Sequence, residues 1–169
     1  MVNLQLVFPE IFVSLSIMFL LILGVFKKDS SKLIQNLSLV VLLVTAVITF
    51  NETIGINEVK LFNDSIIIDY LSSLMKIVTL LATFLVLIIS SNYLRTFKIF
   101  KIEYPILILS SVLGMMIMIS SNDLIVFYMG LELQSLALYV LATFNRDQLK
   151  SSEAGLKYFV LSALSSGLL

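Results

Sequence analysis

LIVFYMGLELQSLALYVLATF, residues 124–144, is an apolar run that holds a single charge, Glu132. Asp123 precedes it and Asn145 follows it. About 20 apolar residues cross a bilayer as an α-helix, which satisfies its own main-chain polar groups. A membrane barrel strand runs about ten residues and alternates every second one; this stretch does neither. It therefore predicts a transmembrane helix with a carboxyl group near mid-depth. Glu132 lies eight residues past Leu124, roughly 12 Å from that end by helical rise, too deep for its side chain to reach water. An ionised group there costs about 2.5–3.5 kcal/mol on insertion scales. Burial disfavours its charge unless a cation lies close by. Proton or ion traffic would justify that cost. So would a packing role, with Tyr128, Gln134 and Ser135 satisfying the carboxyl locally.

The rest of the chain belongs to the same class. It is 59% hydrophobic and 13% charged, with mean hydropathy +1.07, against about 25% charged residues in soluble domains. Five further spans are expected over Leu4–Phe26, Leu33–Phe50, Tyr70–Tyr93, Pro105–Ser120 and Ser152–Leu169. The expected fold is thus all-α and integral to the membrane, with about six transmembrane helices. Ser120-Ser121-Asn122-Asp123 leaves no room for a folded loop, so the fourth and fifth helices should pair tightly and antiparallel. Pro105 fits a first turn, where its missing N–H breaks no bond. A cleavable leader is not expected, because the first span lacks a basic n-region and carries Pro9 and Glu10 near its start.

Loop charges give an orientation. Lys27, Lys28, Lys32, Arg95, Lys98, Lys101, Arg146 and Lys150 fall in loops one, three and five. Loop two has Lys60 among Glu52, Glu58 and Asp64. The positive-inside rule puts the basic loops on the side of synthesis, cytoplasm or mitochondrial matrix, and both termini opposite.

Two lysines fall within spans. Lys157 lies five residues past Ser152 and could snorkel to the basic loop. Direct contact with Glu132 is not expected, since their depths differ by roughly 10 Å. Lys76 follows Asp69 by seven residues on one helix face; an internal ion pair or snorkelling accounts for it. Glu10 and Asp69 suit helix N-termini, and Ser152 with Glu153 reads as a helix start. Ala163 and Gly167, with serines around them, form a small-residue face suited to close helix packing. With no Cys and no His, thiolate or imidazole metal sites and Ser/His or Cys/His catalysis are excluded. A formal net charge of zero gives no sign of nucleic-acid binding. No glycine-rich phosphate loop or dinucleotide fingerprint occurs.

Four words then recur in order: Ser121-Asn122-Asp123-Leu124, Gly130-Leu131-Glu132-Leu133-Gln134-Ser135-Leu136, Glu153-Ala154-Gly155-Leu156-Lys157-Tyr158-Phe159 and Ala163-Leu164-Ser165-Ser166-Gly167. Together they resemble the antiporter-like subunits of respiratory complex I, subunit 2 in particular. Pro9-Glu10-Ile11-Phe12 and Asp69-Tyr70 extend the likeness toward the N-terminus. The resemblance implies that Glu132 is the fifth-helix glutamate that tunes a neighbouring lysine. It implies that Lys157 is the sixth-helix lysine of a polar axis along the membrane arm. It assigns no role to Lys76.

By that resemblance, residues 1–104 are three N-terminal helices and residues 105–169 begin the first of two inverted repeats. The chain is then the N-terminal portion of an antiporter-like bundle, ending inside helix six. Helices seven onward would come from a second chain or a further segment. The other expected partners are membrane-arm subunits and lipid. The implied activity is proton translocation coupled to NADH oxidation by ubiquinone. Flavin, iron–sulfur clusters and ubiquinone are expected elsewhere in the complex, with no redox chemistry, cofactor or metal in this chain. The alternatives are a subunit of a multisubunit cation/proton antiporter, or a structural scaffold without its own proton path. Absence of Trp and abundance of Ile, Phe, Asn and Lys suggest an AT-biased organellar genome. They point to the mitochondrial inner membrane before a bacterial plasma membrane.

Overall fold

Helices dominate the computed structural model, which describes residues 4–26, 31–53, 58–96 and 99–168. A single 3-10 turn, Leu4–Val7, leads into α1, Phe8–Phe26. The chain continues as α2 (Ser31–Thr53), α3 (Tyr70–Thr96), α4 (Glu103–Ser120), α5 (Leu124–Ala142) and α6 (Leu149–Gly167). The first five are long and apolar enough to cross a membrane. α6 differs because Lys150, Glu153 and Lys157 fall within its 19 residues.

The boundaries depart from expectation mostly by longer ends. α4 begins two residues before Pro105, which still stands in the first turn where N–H groups lack helical partners. α6 starts three residues before Ser152, so Ser152 is not its cap; Gln148 occupies that place and makes no side-chain cap bond. Of the basic residues that give the orientation, Lys27, Lys28 and Lys98 lie outside the described residues.

One element has no helical character. Between α2 and α3, β1 (Val59–Leu61) pairs antiparallel with β2 (Ile66–Ile68), in a loop where the sequence predicts no strand. Three consecutive Ile residues suit a pleated, half-buried surface. The turn between the strands holds Phe62, Asn63 and Asp64 at φ of 52°, 55° and 67°, a region Asn and Asp tolerate and bulky residues rarely enter. Leu61 and Ile68 of the hairpin are buried.

The core sits among four helices. Val13, Ile17 and Leu20 of α1 meet Ile34 and Leu42 of α2, Leu80 and Leu87 of α3, and Ile106, Leu109, Val112 and Met116 of α4. Leu109, Val112 and Met116 are fully buried. Outward positions are apolar as well, with Leu15 and Val25 exposed on α1, as expected of helices solvated by lipid. Polar groups turn inward and bond to the helices' own carbonyls: Thr45 donates to Val41 O at 2.7 Å and Ser38 to Gln35 O at 2.7 Å.

α2 packs on α1 and α3, α4 returns against α1 and α3, α5 lies along α4, and α6 lies along α5. The tight α4–α5 pair is present, and glycines make it. A Cβ on Gly114 would stand 2.6 Å from Gln134 N, and one on Gly130 would stand 2.9 Å from Met118 N. Gly155 seats α6 on α5 in the same way, since a Cβ there would overlap Thr143 Cγ2. The Ala163/Gly167 face is not used so; a Cβ on Gly167 would meet nothing within 4 Å.

Contacts at the two ends show which loops share a face. Gln35 of α2 accepts from Arg95 of α3 at 2.9 Å, and Glu103 of α4 pairs with Arg146 beyond α5 at 3.2 Å. At the opposite end the hairpin meets the α4–α5 turn. Asn122 donates to Ser65 O at 2.9 Å and, through Nδ2, to Asp64 O at 2.7 Å.

Candidate functional site

Glu132 stands on α5, two residues after the glycine that brings α5 against α4. That contact draws this stretch of helix inward and leaves Glu132 half-buried. Its Oε1 is buried and has no hydrogen-bond partner among the described residues. Local satisfaction by Ser135 is not found: the Ser135 hydroxyl donates to the main-chain carbonyl of Glu132, at 3.1 Å. Buried polar atoms are nearly always paired, so an unpaired carboxylate oxygen calls for a reason.

Lys157 is elsewhere. It lies on the outward face of α6, its side chain 70% exposed, and pairs with Glu153 one turn earlier at 2.6 Å. No ion pair joins it to Glu132 among the described residues. α6 is held to α5 by other groups: Tyr139 donates to Ser162 and packs edge-on against Tyr158 and Phe159.

A second charged group is not legible in the sequence. Lys76 of α3 is 3% exposed and pairs with Glu10 of α1 at 2.5 Å. Glu10 Oε2 is buried without a hydrogen-bond partner among the described residues. Glu52, in the last turn of α2, lies within electrostatic range of both. The internal pair expected for Lys76 with Asp69 is replaced by this one, because Asp69 is committed to its own helix end. Ser72 N donates to Asp69 Oδ1 at 2.7 Å, and Asp69 N donates to Ser72 Oγ at 3.0 Å. The main-chain bond from Ser72, and then its hydroxyl, hold the Asp69 carboxyl below the usual carboxylate range. Among the described residues, no group of three or more acids could hold a metal ion.

Residues 121–169 match the family described as NADH:quinone oxidoreductase/Mrp antiporter, TM. The chain is 68% identical over 167 residues to NADH-quinone oxidoreductase subunit N of Pelagibacter ubique (strain HTCC1062), covering 99% of this chain and 35% of that one. Against the protein of the same name from Maricaulis maris (strain MCS10) it is 49% identical over 169 residues, with the same coverage. The chain thus spans about a third of the length of the curated relatives it matches, at their N-terminal part. Its fold is similar to that of a chain in the membrane-bound sulfane sulfur reductase, an archaeal respiratory membrane complex. That likeness has a TM-score of 0.77 at 20% identity and covers 96% of this chain and 34% of the other. The likeness to subunit 2 of complex I, drawn from the words around Glu132 and Lys157, therefore holds along the whole chain.

Proposed function

We propose that this chain works as the N-terminal part of a membrane-arm subunit of an NADH:quinone oxidoreductase and takes part in proton translocation. The observation that carries the reading is a buried carboxylate oxygen on Glu132 that has no partner among the described residues, in a chain 68% identical to subunit N of one such enzyme. In a low-dielectric site, proton occupancy of a carboxyl follows the position of nearby cations. Quinone reduction elsewhere in the complex would shift those cations, and Glu132 would respond by pairing or by exchanging its proton. Lys157, the sixth-helix lysine of the resemblance, is the candidate cation, and a turn of its exposed side chain away from Glu153 would free it. Flavin, iron–sulfur clusters and ubiquinone belong to other subunits in this reading.

The finer architecture follows from the same reading. α6 is the sixth span despite its three charges. Residues 1–104 are the three N-terminal helices, and residues 105–169 begin the first repeat. The relatives named above are bacterial, which supports a bacterial plasma membrane and gives no support to the mitochondrial inner membrane that composition suggests. The basic loops then face the cytoplasm.

A second reading has a specific observation behind it, since the matching family description names an antiporter as well. Purifying the assembly through a tag on this subunit separates them. NADH:quinone activity co-purifying with the tag is the expected result. An assembly free of flavin and iron–sulfur subunits, exchanging cations for protons, would establish the antiporter instead.

A further inference from the structure

We propose that Arg95, oriented by Gln35 and Phe100 at the end of the bundle that carries the basic loops, binds the phosphate of an acidic phospholipid. The site does not depend on the reading of Glu132. Arg95 stands in the last turn of α3, where a cation also suits the helix macrodipole. Its Nη2 donates to Gln35 Oε1 at 2.9 Å, and its guanidinium lies over the Phe100 ring, 5.2 Å from the centroid. Gln35 is itself fixed: it is 4% exposed, and its Nε2 donates to the Leu87 carbonyl at 3.3 Å. An amide and a ring therefore orient this arginine, and neither carries a charge.

The positive charge is left uncompensated. No carboxylate pairs with Arg95 among the described residues. Of the acids described at this end, Glu103 is paired to Arg146 and Glu153 to Lys157, and Asp147 is exposed beside Arg146. Arg95 is exposed. So are Lys32, one turn before Gln35 on the same face of α2, and Lys101, directly after Phe100. Neither lysine has an ion-pair partner among the described residues. Three cations without carboxylate partners are thus carried by adjoining segments.

A guanidinium is planar and can hold two phosphate oxygens at once. Phe100 covers one face of it and Gln35 takes one donor, so the remaining edge is left for that bidentate contact. Holding the group in place beforehand reduces the freedom lost on binding. Basic side chains at a membrane surface attract acidic headgroups, and the flank of α3 suits the rest of such a lipid. Leu81 and Ile88 precede Arg95 by fourteen and seven residues, on the same helix face, and both are exposed. They give an acyl chain an apolar strip directly inward of the phosphate, which a free anion does not need. The structural alternative is an interhelical tie between Arg95 and Gln35 that binds nothing. A neutral donor would serve that tie equally, and it leaves the charge unexplained.

Photolabelling of the complete complex in phosphatidylcholine vesicles tests this. The probe is a trace of phosphatidylglycerol with a photoreactive acyl chain. Crosslinks should map to α3 between Leu81 and Arg95, and should exceed those from a phosphatidylcholine probe with the same chain. One basic group near the surface is worth roughly fivefold in occupancy, so Arg95→Gln should lower the labelling at least that much. Gln35→Leu leaves every charge in place and should lower it too, because the guanidinium loses the partner that fixes it; a diffuse positive patch would not respond. If Arg95→Gln fails to assemble, Lys32→Gln, on an exposed side chain, should lower the labelling by a smaller factor. Equal labelling by the two probes, or labelling unchanged in these variants, would overturn the proposal. Loss of labelling on adding inorganic phosphate would overturn it as well, by showing a site open to any phosphate.

Discussion

The N-terminal helices and the α5–α6 pair treat buried charge in opposite ways. In α1–α3 a lysine lies 3% exposed with an acid 2.5 Å away and a second acid in range. In α5–α6 the acid is buried on one oxygen without a partner among the described residues, and the lysine is exposed and paired along its own helix. A cation fixed inside the bundle holds helices in register. An acid without a fixed cation is free to respond to one that moves. The contrast sets a charge held by its partner in the first region against one left open, among the described residues, in the second.

The largest expected effect lies in the first region. Lys76→Met leaves Glu10 buried without its cation and should destabilise the subunit by about 3–5 kcal/mol. Thermal denaturation of the assembled complex checks this, and adding Glu10→Gln to Lys76→Met should recover most of the loss. Gly114→Ala comes next. Its Cβ would meet backbone 2.6 Å away, and the resulting overpacking should cost about 1–3 kcal/mol. The same assay would show whether the α4–α5 seam is as unforgiving as the geometry requires.

Asp69→Ala should cost about 1 kcal/mol through loss of the α3 cap. Because the folded carboxyl is held below its unfolded value, this contribution is present above the ordinary carboxylate range. It is lost as pH falls through the lowered folded value. Acid denaturation of the wild type and the variant should therefore converge at low pH. Smallest of all is Glu153→Gln. It breaks an exposed i,i+4 pair that contributes about 0.3–0.5 kcal/mol, and a marked drop in stability would show that Lys157 needs Glu153 for more than surface pairing.

What is legible in the sequence is local. Apolar length locates the helices, the short Ser121–Asp123 turn forces α4 against α5, and an isolated Glu132 draws notice by its cost. Partnerships across many residues are not legible. Periodicity puts Lys76 on a face with Asp69, but nothing local says that Glu10, 66 residues away, will be the group it meets. Close packing escapes the sequence for the same reason. Ala163 and Gly167 have the right spacing, whereas Gly114, Gly130 and Gly155 have the neighbours. The hairpin is hidden because the Ile66-Ile67-Ile68 run is short and lies next to a span.

Everything proposed for α5 turns on Glu132 carrying a movable proton or a movable pairing. The direct measurement is the number of protons translocated per NADH oxidised by a fully assembled Glu132→Gln complex. A clear fall in that ratio at unchanged assembly is the expected result. A ratio equal to the wild type would contradict it.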